Sequence, residues 1–248
     1  MAAPLPAPWW ARPTMLSLDG PAFVVLARAA VGRPPGAHFA DTLLACALVW
    51  AGYLLDRWMD ARFEGEIRTW RHDAAGRLGP ALMALAALAG LGAVAAGARL
   101  PSTWEALWGG PVPWLPLGAA AIFCGRWLRI GWLIRAACVT GVLVALSGWG
   151  EAWSPADQAA VALLAFANLV AIRRAEHPTE QSLSWWLASA ACGAAAGAVV
   201  SPGAVTVGAA AGVGLLGLLG AGGGRHAERR RAIVDAITFA ALAAAALA

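Results

Sequence analysis

Long apolar runs separated by short polar stretches set the pattern of this 248-residue chain. Most of the runs approach the roughly 20 residues that a helix needs to cross the hydrocarbon core of a bilayer. The pattern therefore predicts an all-α, polytopic membrane protein with about nine transmembrane helices. The predicted spans are residues 19–31, 39–59, 80–98, 114–126, 130–149, 156–172, 183–200, 204–221 and 232–248.

The composition supports this class of protein. Hydrophobic residues make up 60% of the chain and charged residues 13%, whereas a soluble domain carries about 25% charged residues. We expect one transmembrane helical domain over residues 1–248, with the Pro- and Trp-rich residues 1–17 lying along the membrane surface as an interfacial segment. The formal charge of +4 is small for this length and predicts no nucleic-acid partner.

The arginines sort between alternate loops. The loops after the second, fourth, sixth and eighth runs are rich in arginine, as in the segment GGGRHAERRR, whereas the odd-numbered loops contain few. Positive charge concentrates on the cytoplasmic side of membrane proteins. We therefore expect an integral protein of the inner (plasma) membrane, with its N-terminus in the cytoplasm and its C-terminus outside.

A pair of carboxylates ends the second run. Asp56 and Asp60 are four residues apart in GYLLDRWMD, and this spacing places both on one face of a helix, one turn apart. Acidic groups beside an apolar segment are costly unless a positive group binds them. One interpretation is a divalent cation that carries a phosphorylated ligand; the other is that the acids pair with Arg57 and Arg62 at the interface.

The end of the sixth run is also polar, and the predicted topology places it in the same compartment as the Asp pair. FANLVAIRRAEHPTEQ contains Asn168 within the run, then Arg173, Glu176 and Glu180. Pro178 lies between the two glutamates, so the helical spacing does not by itself place them on one face. The alternatives are a second pair of metal ligands and a solvated loop, and Asn168 is alternatively a hydrogen-bonding residue between helices.

The loop after the second run adds further candidates, Arg71 and His72. Carboxylates can hold Mg²⁺, and arginines can bind phosphate oxygens bidentately. An apolar, helical interior suits a long hydrocarbon tail. Together these features predict a cavity for a lipid diphosphate, with His72 either at the phosphate or on the surface.

Helix number and these motifs resemble the UbiA superfamily of intramembrane prenyltransferases. That family has nine transmembrane helices and a first motif, N-D-x-x-D-x-x-x-D, at the end of helix 2. Here GYLLDRWMD keeps Asp56, Arg57 and Asp60, while Gly52 and Tyr53 replace the leading Asn-Asp. The family's second motif, D-x-x-x-D, closes helix 6, where this chain offers Glu176 and Glu180 at the same spacing.

The resemblance implies a Mg²⁺-dependent transfer of a prenyl group from a polyprenyl diphosphate to a lipophilic acceptor. Membrane lipids and a prenyl diphosphate are then the expected partners. The implied catalytic residues are Asp56, Asp60 and Arg57, the metal ligands are Asp56, Asp60, Glu176 and Glu180, and the residues that bind the diphosphate are Arg71, His72, Asn168 and Arg173.

A second function stays open beside the enzyme. The departures from both motifs are also compatible with a UbiA-like scaffold that has lost catalysis and binds lipid or pigment within a larger membrane complex. A transporter fits less well, because no inverted repeat is visible. Charged residues inside or beside the apolar runs are candidates for function, although acids at helix starts are also favoured by the helix dipole; these residues are Arg28, Asp41, Arg135 and Asp235.

Overall fold

The computed structural model confirms that the chain is helical wherever it is described, and none of the described residues forms a strand. Seven helices are described along their whole length: α1 (Asp19–Ala30), α2 (Phe39–Phe63), α3 (Trp132–Ser147), α4 (Pro155–Glu176), α5 (Ser182–Val200), α6 (Ala204–Leu219) and α7 (Ala227–Leu247). The described residues are 18–31, 39–63, 79–81, 84–85, 87–92, 95, 131–148, 153–176, 180, 182–219 and 227–248.

Seven of the nine predicted runs coincide with these helices, and three boundaries differ by four or five residues, namely the ends of α2 and α4 and the start of α7. Helix α2 continues to Phe63, so Asp60 lies within it. Helix α7 begins at Ala227, within the arginine-rich segment that the sequence assigned to a loop. Residues of the third run are also helical, at 79–81, 84–85, 87–92 and 95, while the fourth run lies outside the described residues.

Side chains that bind free backbone groups explain two helix starts. The Ser154 hydroxyl accepts a hydrogen bond from the backbone N–H of Asp157 (3.1 Å) and donates one to its carboxylate (2.7 Å). This is an N-terminal cap for α4, which satisfies one of the donors that a helix start leaves unpaired. Before α6, the Thr206 hydroxyl accepts from the N–H of Gly203 and lies 2.7 Å from the Ser201 carbonyl, which shapes the turn from α5.

Helix α4 lies at the centre of the described bundle. It packs against α3, α5, α6 and α7, while α1 packs against α2, α3 and α7, and α2 also packs against α3. The core between these helices is formed by fully buried aliphatic side chains, among them Val24, Val161, Leu164, Val213 and Leu216. Because α2 and α4 both pack against α3, both candidate motifs belong to helices that share a neighbour.

Contacts between helix ends give the direction of each helix. Asp19 at the start of α1 reaches Arg231 near the start of α7, and Arg173 near the end of α4 lies over Trp132 at the start of α3. We call this end of the bundle, where α1, α3 and α7 begin and α4 ends, the polar end. At the opposite end, the Arg28 guanidinium donates to the backbone carbonyl of Ser147 (3.2 Å), where α1 and α3 finish.

Two helices in the described part of the chain are long and apolar enough to cross a membrane. They are the central helix α4, over Pro155–Ala175, and α5, over Ser182–Val200. Helices α3 and α6 are apolar but shorter. Length and composition make these two helices candidate membrane spans, which is compatible with a membrane association of the chain.

Close packing between α6 and its neighbours gives a stability prediction. A Cβ atom at Gly212 would lie 2.8 Å from the Ala241 Cβ and 2.9 Å from the Leu164 Cδ1. Gly212→Ala must therefore push α6 away from α7 and α4, and we expect it to lower the free energy of unfolding by about 1–3 kcal/mol. Gly217 is the matched control on the same helix, because a Cβ there meets no atom within 4 Å.

Thermal unfolding of both variants in the same detergent checks this prediction. Gly217→Ala is expected to leave the melting temperature unchanged or to raise it, since alanine is favoured over glycine in a helix by about 1 kcal/mol. Equal melting temperatures for the two variants would show that α6 is not closely packed at Gly212.

Candidate functional site

The first predicted motif lies in the second half of α2. Tyr53 packs close to Gly20 near the start of α1, where an added Cβ would lie 3.1 Å from the Tyr53 ring. Asp56 follows one turn further along α2 and is half-buried. This relation places Asp56 toward the polar end. Asp60 is on the same helix, as predicted, but the side chains of Arg57 and Asp60 lie outside the described residues.

The second predicted motif surrounds the end of α4. Glu180 forms an ion pair with Arg173, with Nη2 and Oε1 3.1 Å apart and both side chains partly exposed. The Arg173 guanidinium carbon also lies 5.7 Å from the centre of the Trp132 ring, which is cation–π distance. Glu176 is the last residue of α4, and its side chain is not among those described. This ion pair thus joins Glu180, a predicted metal ligand, to Arg173, which was predicted to bind the diphosphate.

Asn168 contacts Asp235, whose role the sequence did not settle. Its Nδ2 donates to Oδ1 of Asp235 at 3.4 Å, which connects α4 to α7. The other carboxylate oxygen, Oδ2, lies 3.9 Å from Nε of Arg231, one turn earlier on α7. Arg231 Nη2 in turn lies 3.8 Å from Oδ2 of Asp19 on α1. The four residues form what we call the buried polar network, and it joins three helices that are distant in sequence.

Three of the four residues of this network are almost fully shielded, and Asn168 is half-buried. The side chains of Asp19, Arg231 and Asp235 are 9%, 7% and 6% exposed. The N–O separations of 3.8 and 3.9 Å exceed ordinary hydrogen-bond lengths, so charge attraction rather than direct hydrogen bonding holds these pairs. In a shielded site such attraction is strong and also necessary, because a buried charge without a counter-charge is very costly.

Most of this network could not be predicted from the sequence. Asp235 was predicted to be either a functional residue or an acid at a helix start, and the helix-start alternative is wrong, because α7 begins eight residues earlier at Ala227. The contact of Asn168 with Asp235 confirms that Asn168 forms a hydrogen bond between helices. The sequence assigned Arg231 to a loop and gave no role to Asp19. One signal was present: Arg231 and Asp235 are four residues apart, the spacing of an ion pair on one helix face. That signal depends on α7 beginning before residue 232.

A metal centre is not assembled among the described side chains. In that part of the chain, no three His, Cys, Asp or Glu residues come together in a way that could hold a metal ion. Of the four predicted carboxylate ligands, Asp56 and Glu180 have described side chains. The side chains of the other two, Asp60 and Glu176, lie outside the described part of the structure. The predicted diphosphate ligands Arg71 and His72 likewise lie outside the described residues.

Three of the described candidates lie toward one end of the bundle. Asp56 lies toward the polar end on α2, and Arg173 and Glu180 lie there near and after the end of α4, whereas Asn168 lies about two turns before that end. Oxygen donors and arginines are the groups that bind a metal–diphosphate pair. The polar end, where α4 ends, therefore contains both acidic and basic side chains of the kinds that bind a metal ion and a diphosphate.

Comparison with known proteins gives no match to this chain, whether with protein-family models, curated proteins or solved structures. The resemblance to the UbiA superfamily accordingly depends on the residues themselves, GYLLDRWMD in α2 and the acidic pair after the sixth run.

Proposed function

We propose that this chain is a UbiA-like, integral-membrane prenyltransferase that moves a prenyl group from a polyprenyl diphosphate to a lipophilic acceptor. The observation that carries the proposal is the position of Asp56 and Asp60. They are one turn apart on α2, and Asp56 lies toward the same end of the bundle as the basic and acidic groups at the end of α4. A helical bundle with an apolar interior suits the hydrocarbon part of such a substrate.

The proposed chemistry is an alkylation. The bond between C1 of the prenyl chain and its diphosphate oxygen breaks, and the electron pair leaves with the pyrophosphate. A nucleophilic carbon of the acceptor forms the new bond to the allylic carbon and then loses a proton. Arg57 supports the negative charge that develops on the leaving pyrophosphate, the point at which electrostatic stabilisation is most effective.

Mg²⁺ is the proposed cofactor, because aspartate and glutamate oxygens are the ligands it prefers. Asp56 and Asp60 would hold it on one side, and Glu176 and Glu180 on the other. When bound, Mg²⁺ supplies positive charge to the diphosphate oxygens. Since Arg173 already pairs with Glu180, the four-carboxylate site requires Glu180 to exchange this arginine for the metal.

The proposal includes nine transmembrane spans, with the polar end in the cytoplasm and the C-terminus outside. Support comes from the arginine distribution and from the helix directions. Arg173 near the end of α4 lies over Trp132 at the start of α3, as an alternating bundle requires. The same alternation explains why α1 and α3 finish together at Arg28 and Ser147.

The proposal is tested by turnover in the presence and absence of divalent cation. Protein purified in neutral detergent is mixed with a radiolabelled prenyl diphosphate and a panel of lipophilic phenols and quinone precursors. We expect pyrophosphate release coupled to a prenylated product, which stops when EDTA removes Mg²⁺ and returns when Mg²⁺ is added back. Absence of product and of pyrophosphate release with every chain length would contradict the enzyme function.

A second candidate is a UbiA-like scaffold subunit without catalysis, which binds lipid or pigment within a larger membrane complex. The ion pair between Arg173 and Glu180, together with the contact of Arg173 with Trp132, favours it. In these contacts Arg173 and Glu180 bind groups of the protein itself, whereas in an enzyme they would bind the substrate or its metal ion. Co-purification of partner subunits with no Mg²⁺-dependent turnover is the result expected of the scaffold.

A further inference from the structure

Arg173 connects three neighbouring helices at the polar end. It lies in the last turn of α4, with its guanidinium carbon 5.7 Å from the centre of the Trp132 ring at the start of α3. Its Nη2 atom lies 3.1 Å from Oε1 of Glu180. Glu180 lies at the start of α5, because its backbone carbonyl accepts a hydrogen bond from the N–H of Leu183 (3.2 Å). We call Trp132, Arg173 and Glu180 the clamp.

The guanidinium of Arg173 is only partly satisfied in the clamp. One nitrogen, Nη2, faces one oxygen of Glu180, whereas an arginine that binds a carboxylate or a phosphate strongly often does so through two parallel hydrogen bonds. The Nε atom of Arg173 is buried and has no hydrogen-bond partner among the described residues. A diphosphate, which has more oxygen atoms than a carboxylate, can accept from both nitrogens and satisfies this side chain better.

The contacts of the clamp are weak enough for a ligand to displace. The side chains of Arg173 and Glu180 are 25% and 33% exposed, and an ion pair between such side chains shifts an equilibrium by about fivefold or less. A cation–π contact that is partly exposed to water also contributes about fivefold or less. Arg231 at the same end differs, because its side chain is 7% exposed and faces two shielded acids. The polar end thus combines one rigid ionic contact with one that can open.

We propose that the clamp regulates the diphosphate site of this chain, an inference that rests on the proposed prenyltransferase function. In the closed state Arg173 holds Glu180 and Trp132, as in the structure. In the open state Arg173 turns from both residues to the phosphate oxygens of a bound diphosphate, and Glu180 becomes available to Mg²⁺. Opening also removes the connection that Arg173 makes between the ends of α3, α4 and α5.

A purely structural role for these contacts predicts a different behaviour. If Arg173 only fixes the ends of three helices, weakening the clamp should lower stability and should leave the affinity for a diphosphate unchanged or reduced. If the clamp competes with the ligand, weakening it must raise this affinity, because the closed state becomes less populated. Trp132 separates these outcomes, since it belongs to the clamp and is not among the proposed ligands.

The affinity of the full chain for pyrophosphate, with Mg²⁺ in excess, tests the clamp. Isothermal titration calorimetry in neutral detergent measures it for the wild type, Trp132→Leu and Trp186→Leu. Trp186 is the matched control, because its ring also contacts α4, at Phe166, and is not part of the clamp. Trp132→Leu should bind pyrophosphate about fivefold more tightly than the wild type, the contribution of the cation–π contact. Trp186→Leu should bind it as the wild type does.

Trp132→Phe serves if Trp132→Leu does not fold. Phenylalanine keeps an aromatic ring but attracts a cation less strongly than tryptophan, so we expect binding about twofold tighter than in the wild type. Equal or weaker binding of pyrophosphate by the Trp132 variants would overturn the clamp and leave the diphosphate site in place. Absence of pyrophosphate binding in the wild type and in every variant would contradict the proposed function and the clamp together.

Fluorine NMR of protein labelled with 5-fluorotryptophan follows the opening directly. The Trp132 resonance is identified by its absence from Trp132→Phe, and the Trp186 resonance by its absence from Trp186→Leu. When Mg²⁺ and pyrophosphate are added, the Trp132 resonance should move toward its position in Arg173→Gln, because Arg173 leaves the ring, and the Trp186 resonance should stay. A Trp132 resonance that does not move at saturating pyrophosphate would show that the clamp remains closed around Arg173, and would overturn the inference.

Discussion

Replacing Asp56 with asparagine is expected to lower Mg²⁺-dependent turnover of a prenyl diphosphate by about a hundredfold or more, the loss typical of removing one preorganised electrostatic group. Asparagine keeps the shape of the side chain but removes the negative charge that a metal ligand needs. Asp60→Asn should have an effect of the same size, because both carboxylates lie on one face of α2. Initial rates at saturating Mg²⁺ measure the loss.

Asp41→Asn is the matched control for both variants. Asp41 is an aspartate of the same helix, in its first turn, far along α2 from Asp56. It should leave turnover within about twofold of the wild type, while any effect on folding appears in its melting temperature. If Asp56→Asn and Asp60→Asn keep full turnover, the metal assignment on α2 is wrong. Partial rescue of either variant by higher Mg²⁺ concentrations would support a direct role in metal binding.

Replacing Arg231 with methionine is expected to lower the free energy of unfolding by about 3–5 kcal/mol, the range for breaking one side of a buried ion pair. Arg231 lies between Asp19 and Asp235, and all three side chains are less than a tenth exposed. Methionine fills a similar volume but removes the positive charge that faces both carboxylates. Thermal or denaturant unfolding in detergent measures the change.

The charge explanation predicts a rescue. Neutralising both acids in the same protein, as Arg231→Met/Asp19→Asn/Asp235→Asn, should recover most of the lost stability, because a buried ion pair replaced as a whole is often neutral. Arg229→Met is the control, as the exposed arginine of the same helix, with a change within about 0.5 kcal/mol. If the triple variant is as unstable as Arg231→Met, the network acts through packing and not through charge.

Sequence patterns predicted the helices well because the signal for a helix in an apolar chain is local. Run length and the residues that interrupt a run place most ends within a few residues, as for α5, predicted at 183–200 and found at Ser182–Val200. The start of α7 was placed too late, because charged residues between Ala227 and Ala232 resemble a loop when hydrophobicity is the only criterion. The charge of Arg231 is offset by Asp19 and Asp235. The spacing from Asp235 is visible in the sequence, but the contact with Asp19, on a helix far away along the chain, is not.

Which helix packs against which could not be predicted in the same way. The helices are apolar on all sides, so no polar stripe marks an outer face. The contacts that fix the arrangement are few and specific, such as the position of Gly212 between Ala241 and Leu164. The distribution of arginines carried more information, because it assigns each helix end to one side of the membrane. The contacts of Arg173 with Trp132 and of Arg28 with Ser147 agree with the alternation that it predicts.

The candidate site was predicted in part for the same reason. That Asp56 and Asp60 share a helix face could be predicted, because it depends only on their spacing of four residues within one helix. The partner of Glu180, however, depends on how the chain turns after α4, and the pair with Arg173 could not be inferred from the motif D-x-x-x-D. Asn168 was identified as polar within an apolar run, and its contact with Asp235 required knowledge of the fold of α7 against α4.

The link between Asp19 and Arg231 has a consequence for biogenesis. Translation proceeds from the N-terminus, so α1 with Asp19 is made long before the arginine that faces it in α7. During that interval the carboxylate of Asp19 must stay in contact with water or be shielded by another protein. Synthesis of α7 then supplies its counter-charge, so Asp19 can become buried only after Arg231 has been made.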